Sequence, residues 1–130
     1  MQELAGTMFA AAGGMRAQSM RLRIIGENMA NADTPGYRRK ELTFETVRER
    51  TSGASTVRAG RVRLSDAPMR ESYEPGHPLA DARGIVRYSN VEPLIELADA
   101  REASRSFEAN LTIFDQARRM YGAVIDLLRR

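Results

Sequence analysis

The feature that most constrains this chain is a seven-residue recurrence of apolar side chains near both of its ends. Such a repeat puts one apolar stripe along each helix, and two helices bury their stripes by packing against each other. The N-terminal repeat consists of Met8, Met15, Leu22 and Met29, with Ile25 in a companion position. It predicts a helix within residues 1–31, roughly 40 Å long at about 1.5 Å per residue.

The C-terminal repeat is longer and wider than the N-terminal one. It consists of Phe107, Leu111, Phe114, Tyr121, Val124 and Leu128. These residues predict a helix within residues 90–130, with Asn90 as its N-cap. Ile113, Met120 and Leu127 lie beside the main line, so a single partner helix leaves apolar surface uncovered. The pattern therefore predicts a protein that associates with itself or with other subunits.

Residues 32–89, between the two helices, contain short runs in which apolar and polar side chains alternate. The runs at 42–47, 61–64 and 85–88 are typical of short strands. The small polar stretch 51–56 predicts a loop. The expected fold class is mainly α with a small β part, in which the long terminal helices pack as an antiparallel coiled-coil-like pair.

The residue types argue against catalysis. The chain has no cysteine, which removes thiolate chemistry and cysteine-based zinc sites. Its single histidine, His77, lies in a proline-rich turn without the further ligands that a metal needs, and we interpret it as structural. No acid, base and nucleophile occur in a recognisable arrangement. We expect no enzyme, cofactor, metal or small-molecule substrate.

The basic cluster Arg38-Arg39-Lys40 supports an alternative hypothesis, a small module that binds nucleic acid or an anionic surface. Against it, Glu41 and Glu45 follow at once, and 17 acidic residues nearly balance 20 basic ones. A solvated or intersubunit charge patch is therefore the favoured interpretation. Salt-dependent binding of DNA by the purified chain would favour the alternative.

The first residues do not have the pattern of a cleaved signal peptide. Gln2 and Glu3 stand where positive charge is expected, and the apolar spacing continues past any cleavage point. No run approaches the roughly 20 apolar residues of a membrane span. We expect a protein that does not span the membrane and that leaves the cytoplasm, if at all, without a cleaved signal.

Two stretches resemble a known family. The first, with Ala30, Asn31, Thr34, Pro35, Gly36 and Tyr37, resembles the Ala-Asn-x-x-Thr-x-Gly-Tyr signature of flagellar axial proteins. The second, with Tyr73, Pro75, Gly76, His77 and Pro78, is similar to proximal-rod subunits of the bacterial flagellar basal body. The link between Asn31 and Tyr37 is short, as in the rod protein FlgB, which lacks the Pro-Gly-His-Pro stretch.

The resemblance implies a structural subunit of the proximal rod, which serves as drive shaft and export channel for cell motility. It implies export without a cleaved signal through the flagellar type III apparatus, and assembly in the periplasm. The implied partners are other copies of the chain, the rod proteins FlgB, FlgF and FlgG, the protein FliE and the MS ring. The two apolar repeats would be the assembly seams.

Overall fold

A computed structural model describes residues 1–130 as two long helices joined by two small β-sheets. Helix α1 spans Gln2–Ala30 and helix α2 spans Pro93–Leu128, so that the helices contain half of the chain. They pack against each other over most of the length of α1. The predicted fold class, mainly α with two packed terminal helices and a small β middle, is confirmed.

The two helices run antiparallel. Gly14, in the middle of α1, lies against Asn110 of α2, whereas Asn28, in the last turns of α1, lies against Glu96 in the first turns of α2. The end of α1 and the start of α2 are therefore level. At the other end α2 continues beyond the first residue of α1 and ends with exposed Leu127 and Leu128.

Small side chains form the most buried part of the contact between the helices. They are Ala11, Gly14 and Ala17 on α1 and Ala103 and Ala117 on α2. Small residues let two helix backbones approach closely, whereas the larger side chains of the repeats lie to the sides of this line. A Cβ on Gly14 would lie 2.6 Å from the side-chain nitrogen of Asn110, so a larger residue here would require the Asn110 side chain to move.

A β-hairpin folds back along α1. Strand β1 spans Lys40–Arg48 and pairs antiparallel with β2, Ser55–Leu64. The hydroxyl of Thr56 donates to the main-chain oxygen of Ala10 at 2.8 Å, and a Cβ on Gly13 would lie 2.0 Å from that hydroxyl oxygen. The prediction of a loop over 51–56 is partly wrong, because its last two residues pair as the start of β2.

A second, smaller sheet joins β3, Glu71–Tyr73, to β4, Ile85–Arg87, in antiparallel register. Gly84 precedes β4 with a φ of +79°, a conformation that glycine adopts without steric cost. The strand predicted over residues 85–88 is present over 85–87, one residue shorter than predicted.

Helix α2 starts later than the N-cap prediction placed it. The N-cap is Glu92, which makes no side-chain capping bond, and Pro93 occupies the first turn. The Asn90 prediction is wrong, because its side chain is used elsewhere. Its oxygen accepts from the main-chain nitrogen of Arg39 at 2.6 Å, and its nitrogen donates to the carbonyl of Ala67 at 3.0 Å. Asn90 fastens the linker to the start of α2.

Candidate assembly surfaces

An apolar stripe follows the outer side of the second half of α2. Ile113, Met120 and Leu127 are seven residues apart and 46%, 57% and 64% exposed. Seven-residue spacing keeps them on one side of the helix, next to the face that α1 covers. The helix is thus already packed on one face and still presents apolar surface on another. Such contiguous exposed patches mark interaction surfaces.

The β-hairpin presents a second apolar surface. Its cross-strand pairs Leu42–Val62 and Phe44–Ala59 lie on one face, since directly paired residues share a face. Of these four, Phe44 and Val62 are exposed. Thr56 on the opposite face bonds α1, and Val57 and Ala59 of this face line a cleft with Phe9 and Gly13 of α1, so the helix covers part of this face as well. We call this face, with Val57 and Leu64 also exposed on it, the hairpin face.

The opposite side of the hairpin is charged and internally paired. Arg58 bonds Glu45 directly across the strands at 3.1 Å, and Arg63 bonds Glu41 at 3.2 Å. A hairpin that packed alone on a helix would put its apolar face inward. Here the charged side is itself largely exposed, and Phe44 and Val62 on the apolar side also remain available to another molecule.

The linker between α1 and β1 is fastened by Asn28, which is almost completely buried. The side-chain amide donates to the main-chain oxygen of Lys40 and accepts from the main-chain nitrogen of the same residue, both at 2.9 Å. Its oxygen also accepts from the hydroxyl of Tyr37 at 2.8 Å. One side chain therefore satisfies several groups of the returning chain.

Arg39 connects this linker to α2. Its Nε donates to Glu96 at 2.5 Å, and one terminal nitrogen donates to Asp99 at 3.1 Å. The side chain of Glu96 has no solvent exposure. Burial alone lowers the pKa of Arg39, but the hydrogen bond to Glu96 and the surrounding carboxylates, Glu41 among them, outweigh burial and raise it. The guanidinium is thus held charged beside a buried carboxylate.

The first of the two stretches that carry the family resemblance lies against the second sheet at this end of the helix pair. The main-chain nitrogen of Gly36, with a φ of +79°, donates to the carbonyl of Arg87 at 3.1 Å. Asp33 of the first stretch pairs with Arg70 at 2.8 Å, and Arg70 lies over the ring of Tyr88 at 4.8 Å. The link from Asn31 to Tyr37 is thereby fixed against the second sheet.

Within the second stretch, hydrogen bonds to the main chain shape the turn. The Nδ1 atom of His77 accepts from the main-chain nitrogen of Leu79 at 3.0 Å, in keeping with the structural interpretation of this histidine. The Asp81 carboxylate accepts from the main-chain nitrogens of Ile85 and Arg83, and these bonds lower its pKa. Tyr73 remains 70% exposed.

The predicted seam residues divide into three groups by burial. Ile25 is buried; Met8, Met15, Leu22, Phe107, Phe114 and Val124 are half-buried; Met29, Leu111, Tyr121 and Leu128 are exposed. The repeat therefore serves the contact within the chain and also leaves part of each stripe outside. Sequence spacing alone did not show which of these residues are buried within the chain and which are exposed.

The basic cluster is largely neutralised by its own chain. Arg39 bonds acidic side chains on α2, and Lys40 pairs with Glu27 of α1, which raises the pKa of the lysine. Arg38 donates to the main-chain oxygen of Ser65 at 3.0 Å. These contacts weaken the nucleic-acid hypothesis, which requires an uncompensated basic face. No helix of the structure combines the length and the apolar content needed to cross a membrane.

Comparison with known proteins gives the same family from both ends of the chain. Residues 8–38 match the model of the flagella basal body rod protein family, and residues 82–127 match the C-terminal model of the FlgEFG flagellar basal body rod proteins. The flagellar basal-body rod protein FlgC of Agrobacterium fabrum is 42% identical over 136 aligned positions, covering 99% of this chain and 98% of the relative. The chain belongs to the FlgC family.

More distant members of the FlgC family show that the similarity extends over most of the chain. The Salmonella typhimurium FlgC protein is 35% identical and covers 85% of this chain and 87% of its own length. The Aquifex aeolicus FlgC protein is 32% identical, and the alignment covers 93% of this chain and 94% of the relative. This chain is therefore a flagellar basal-body rod protein with a structural role.

Sequence reasoning missed the roles of Glu96 and Arg39. No pattern singles out Glu96, and Arg39 was interpreted only as part of a basic cluster. They are 57 positions apart, so no local pattern pairs them. The one available signal was an acidic residue on the helix face that also carries Ala103, where a charge needs a partner.

Proposed function

We propose that this chain polymerises into the proximal rod of the flagellum, with the stripe on α2 and the hairpin face as contacts between subunits. The observation that carries the proposal is Ile113, Met120 and Leu127, which stay exposed on a helix already packed within its own chain. Two separate apolar surfaces allow each subunit to contact more than one neighbour. Contacts between unlike surfaces generate open helical assemblies rather than closed dimers.

The predicted seam residues belong to the same proposal. Those that are exposed, such as Leu111 and Tyr121, extend the α2 surface around the helix. Copies of the chain, FlgB, FlgF, FlgG, FliE and the MS ring are the proposed neighbours, in the periplasm, after export through the type III apparatus. The helix pair would line the channel of the rod and transmit torque. Membership in the FlgC family supports this placement.

Met120→Asp tests the proposal, with Ser104→Asp as the matched control. Both positions are exposed on α2, but Ser104 lies outside the stripe. An aspartate in the stripe must be desolvated without a partner when subunits associate, so we expect Met120→Asp to abolish swimming and to leave isolated basal bodies without a rod. The Ser104→Asp cells should swim.

Circular dichroism of both purified chains distinguishes lost assembly from lost folding. Because Met120 makes little contact within its own chain, we expect the same helix content and the same thermal midpoint in both variants. Normal swimming by cells that produce Met120→Asp would contradict the assignment of the stripe to subunit contact.

A further inference from the structure

The contact between α1 and α2 contains a repeat that does not by itself define one register. Gly14 lies against Asn110, and the positions seven residues to either side of Asn110 are Ala103 and Ala117. Both alanines are smaller than asparagine, so a shift of one repeat in either direction meets no steric barrier at Gly14. The small repeating contacts therefore leave the register to other contacts, of which Asn90, bound to the main-chain nitrogen of Arg39, is one.

We propose that Glu96 determines the register of α2 against α1, by accepting the Arg39 side chain in one alignment alone. Arg39 lies in the linker after α1 but is held close to the end of that helix. Asn28 of α1 binds both main-chain groups of the next residue, Lys40. The guanidinium of Arg39 therefore has a fixed position along the axis of α1. Glu96 marks the corresponding height on α2.

The geometry makes this pairing selective. Arg39 Nε lies 2.5 Å from Glu96, and the other arm of the guanidinium lies 3.1 Å from Asp99, one turn further along α2. Arg21, lower on α1, reaches the same Asp99 at 3.6 Å and Glu102 at 3.5 Å. These pairs form together only when the two helices are aligned as observed.

A shift by one repeat would separate Arg39 from Glu96 by about 10 Å, since seven residues rise about 1.5 Å each. The fully buried carboxylate would then lose its fixed cation. Removing one partner of a buried ion pair is strongly unfavourable because the remaining charge is uncompensated. The register in turn sets how far the exposed Leu127 and Leu128 project beyond α1.

Disulfide trapping tests the inference, since the natural chain has no cysteine. The native pair combines Gly14→Cys with Asn110→Cys. Two shifted pairs combine Gly14→Cys and Asn110→Ala with Ala103→Cys or Ala117→Cys, because the Asn110 side chain would otherwise clash with the new Cβ. A disulfide forms only between Cα atoms about 4.4–6.8 Å apart, so each pair reports one register. Each pair is made in the otherwise unchanged chain, with Glu96→Leu, and with Glu108→Leu as the control at an exposed position on the same helix.

In the unchanged chain and with Glu108→Leu, we expect disulfides from the native pair only. With Glu96→Leu, the yield of the shifted pairs should rise at least about tenfold, which corresponds to about 1.4 kcal/mol of lost preference for one register. Shifted yields as low with Glu96→Leu as in the unchanged chain would overturn the proposal.

A second variant keeps the test decisive if Glu96→Leu lowers helix content. Arg39→Met combined with Glu96→Leu removes both charges and leaves no unpaired ion in the interface. If this double variant folds and yields shifted disulfides, the ion pair determines the register. If it folds and yields the native disulfide alone, packing or the Asn90 bonds determine the register and the proposal is wrong.

Discussion

Asn28, in the last turns of α1, holds the main chain of Lys40 from both sides, with its amide nitrogen 2.9 Å from the carbonyl oxygen and its amide oxygen 2.9 Å from the main-chain nitrogen. A side chain here imitates the partner strand of a sheet, and the chain leaves α1 in a defined direction as a result. The position of Arg39, and hence its contact with Glu96, depends on this arrangement.

Asn28→Ala should therefore lower the free energy of unfolding by about 3 kcal/mol, because it leaves several buried groups without partners. Asn31→Ala is the matched control, since its half-buried side chain donates to the Glu27 carbonyl and accepts only from the exposed Thr34 hydroxyl. We expect a loss of about 1 kcal/mol or less for the control. Urea denaturation followed by circular dichroism measures both values, and equal losses would show that Asn28 has no special role.

Replacing Gly13 and Gly26 of α1 by alanine should change the stability of the chain in opposite directions. A Cβ on Gly13 would lie 2.0 Å from the Thr56 hydroxyl oxygen, whereas one on Gly26 would meet nothing within 4 Å. Gly26→Ala should stabilise the chain by about 0.5–1 kcal/mol, because alanine favours the helix. Gly13→Ala should destabilise it by about 1–3 kcal/mol, because the hairpin must move away. Thermal unfolding of the two variants side by side measures the difference, and stabilisation by Gly13→Ala would refute the close packing of the hairpin.

A feature was predictable from the sequence when the residues that determine it are close together in the chain. The helices were predictable because the apolar repeat is local and continues over several turns, and Gly84 was predictable because a tight turn favours glycine at positive φ. Ala103 and Ala117, which are buried against α1, continue the seven-residue spacing of Val124. Asn90 was misassigned because it resembles an N-cap in sequence but is used by a distant segment, at Arg39.

The assembly surfaces were only partly predictable. Spacing identified Ile113, Met120 and Leu127 as residues beyond the reach of one partner helix, and they are exposed. The hairpin face was not predicted, because alternation in a strand defines two faces without showing which one meets the helix. Here Thr56, whose hydroxyl fits beside Gly13, fixes the position of β2 along α1.

Tyr37 should make stability depend on alkaline pH. Burial raises its pKa, and the nearby charge of Glu27 raises it further, so the folded chain holds the phenol neutral. A pKa raised on folding gives stability that is present below the unfolded value of about 10 and is lost as the pH rises through the folded value. Tyr37→Phe removes this dependence together with the hydrogen bond to Asn28.

At pH 7 we expect Tyr37→Phe to be about 1 kcal/mol less stable than the unchanged chain, because one hydrogen bond is lost. Above about pH 10 the difference should shrink, since only the unchanged chain must deprotonate a buried phenol. Tyr88→Phe serves as a comparison, because the bond to Glu74 raises the pKa of Tyr88 as well. Urea midpoints measured from pH 7 upward provide the test, and a constant difference at every pH would contradict it.

The hairpin face should matter for assembly and little for folding of the single subunit. Phe44 is exposed opposite Ala59 on the hairpin face. Phe44→Asp would place a charge in a subunit contact, and we expect at least a tenfold reduction in motile cells, since a buried unpaired charge costs about 3–5 kcal/mol. Thr51→Asp, at the exposed tip of the hairpin, is the control and should swim normally. Both purified chains should keep the same helix content by circular dichroism. Unimpaired motility with Phe44→Asp would restrict the subunit contacts to α2 and remove the hairpin face from the proposed assembly.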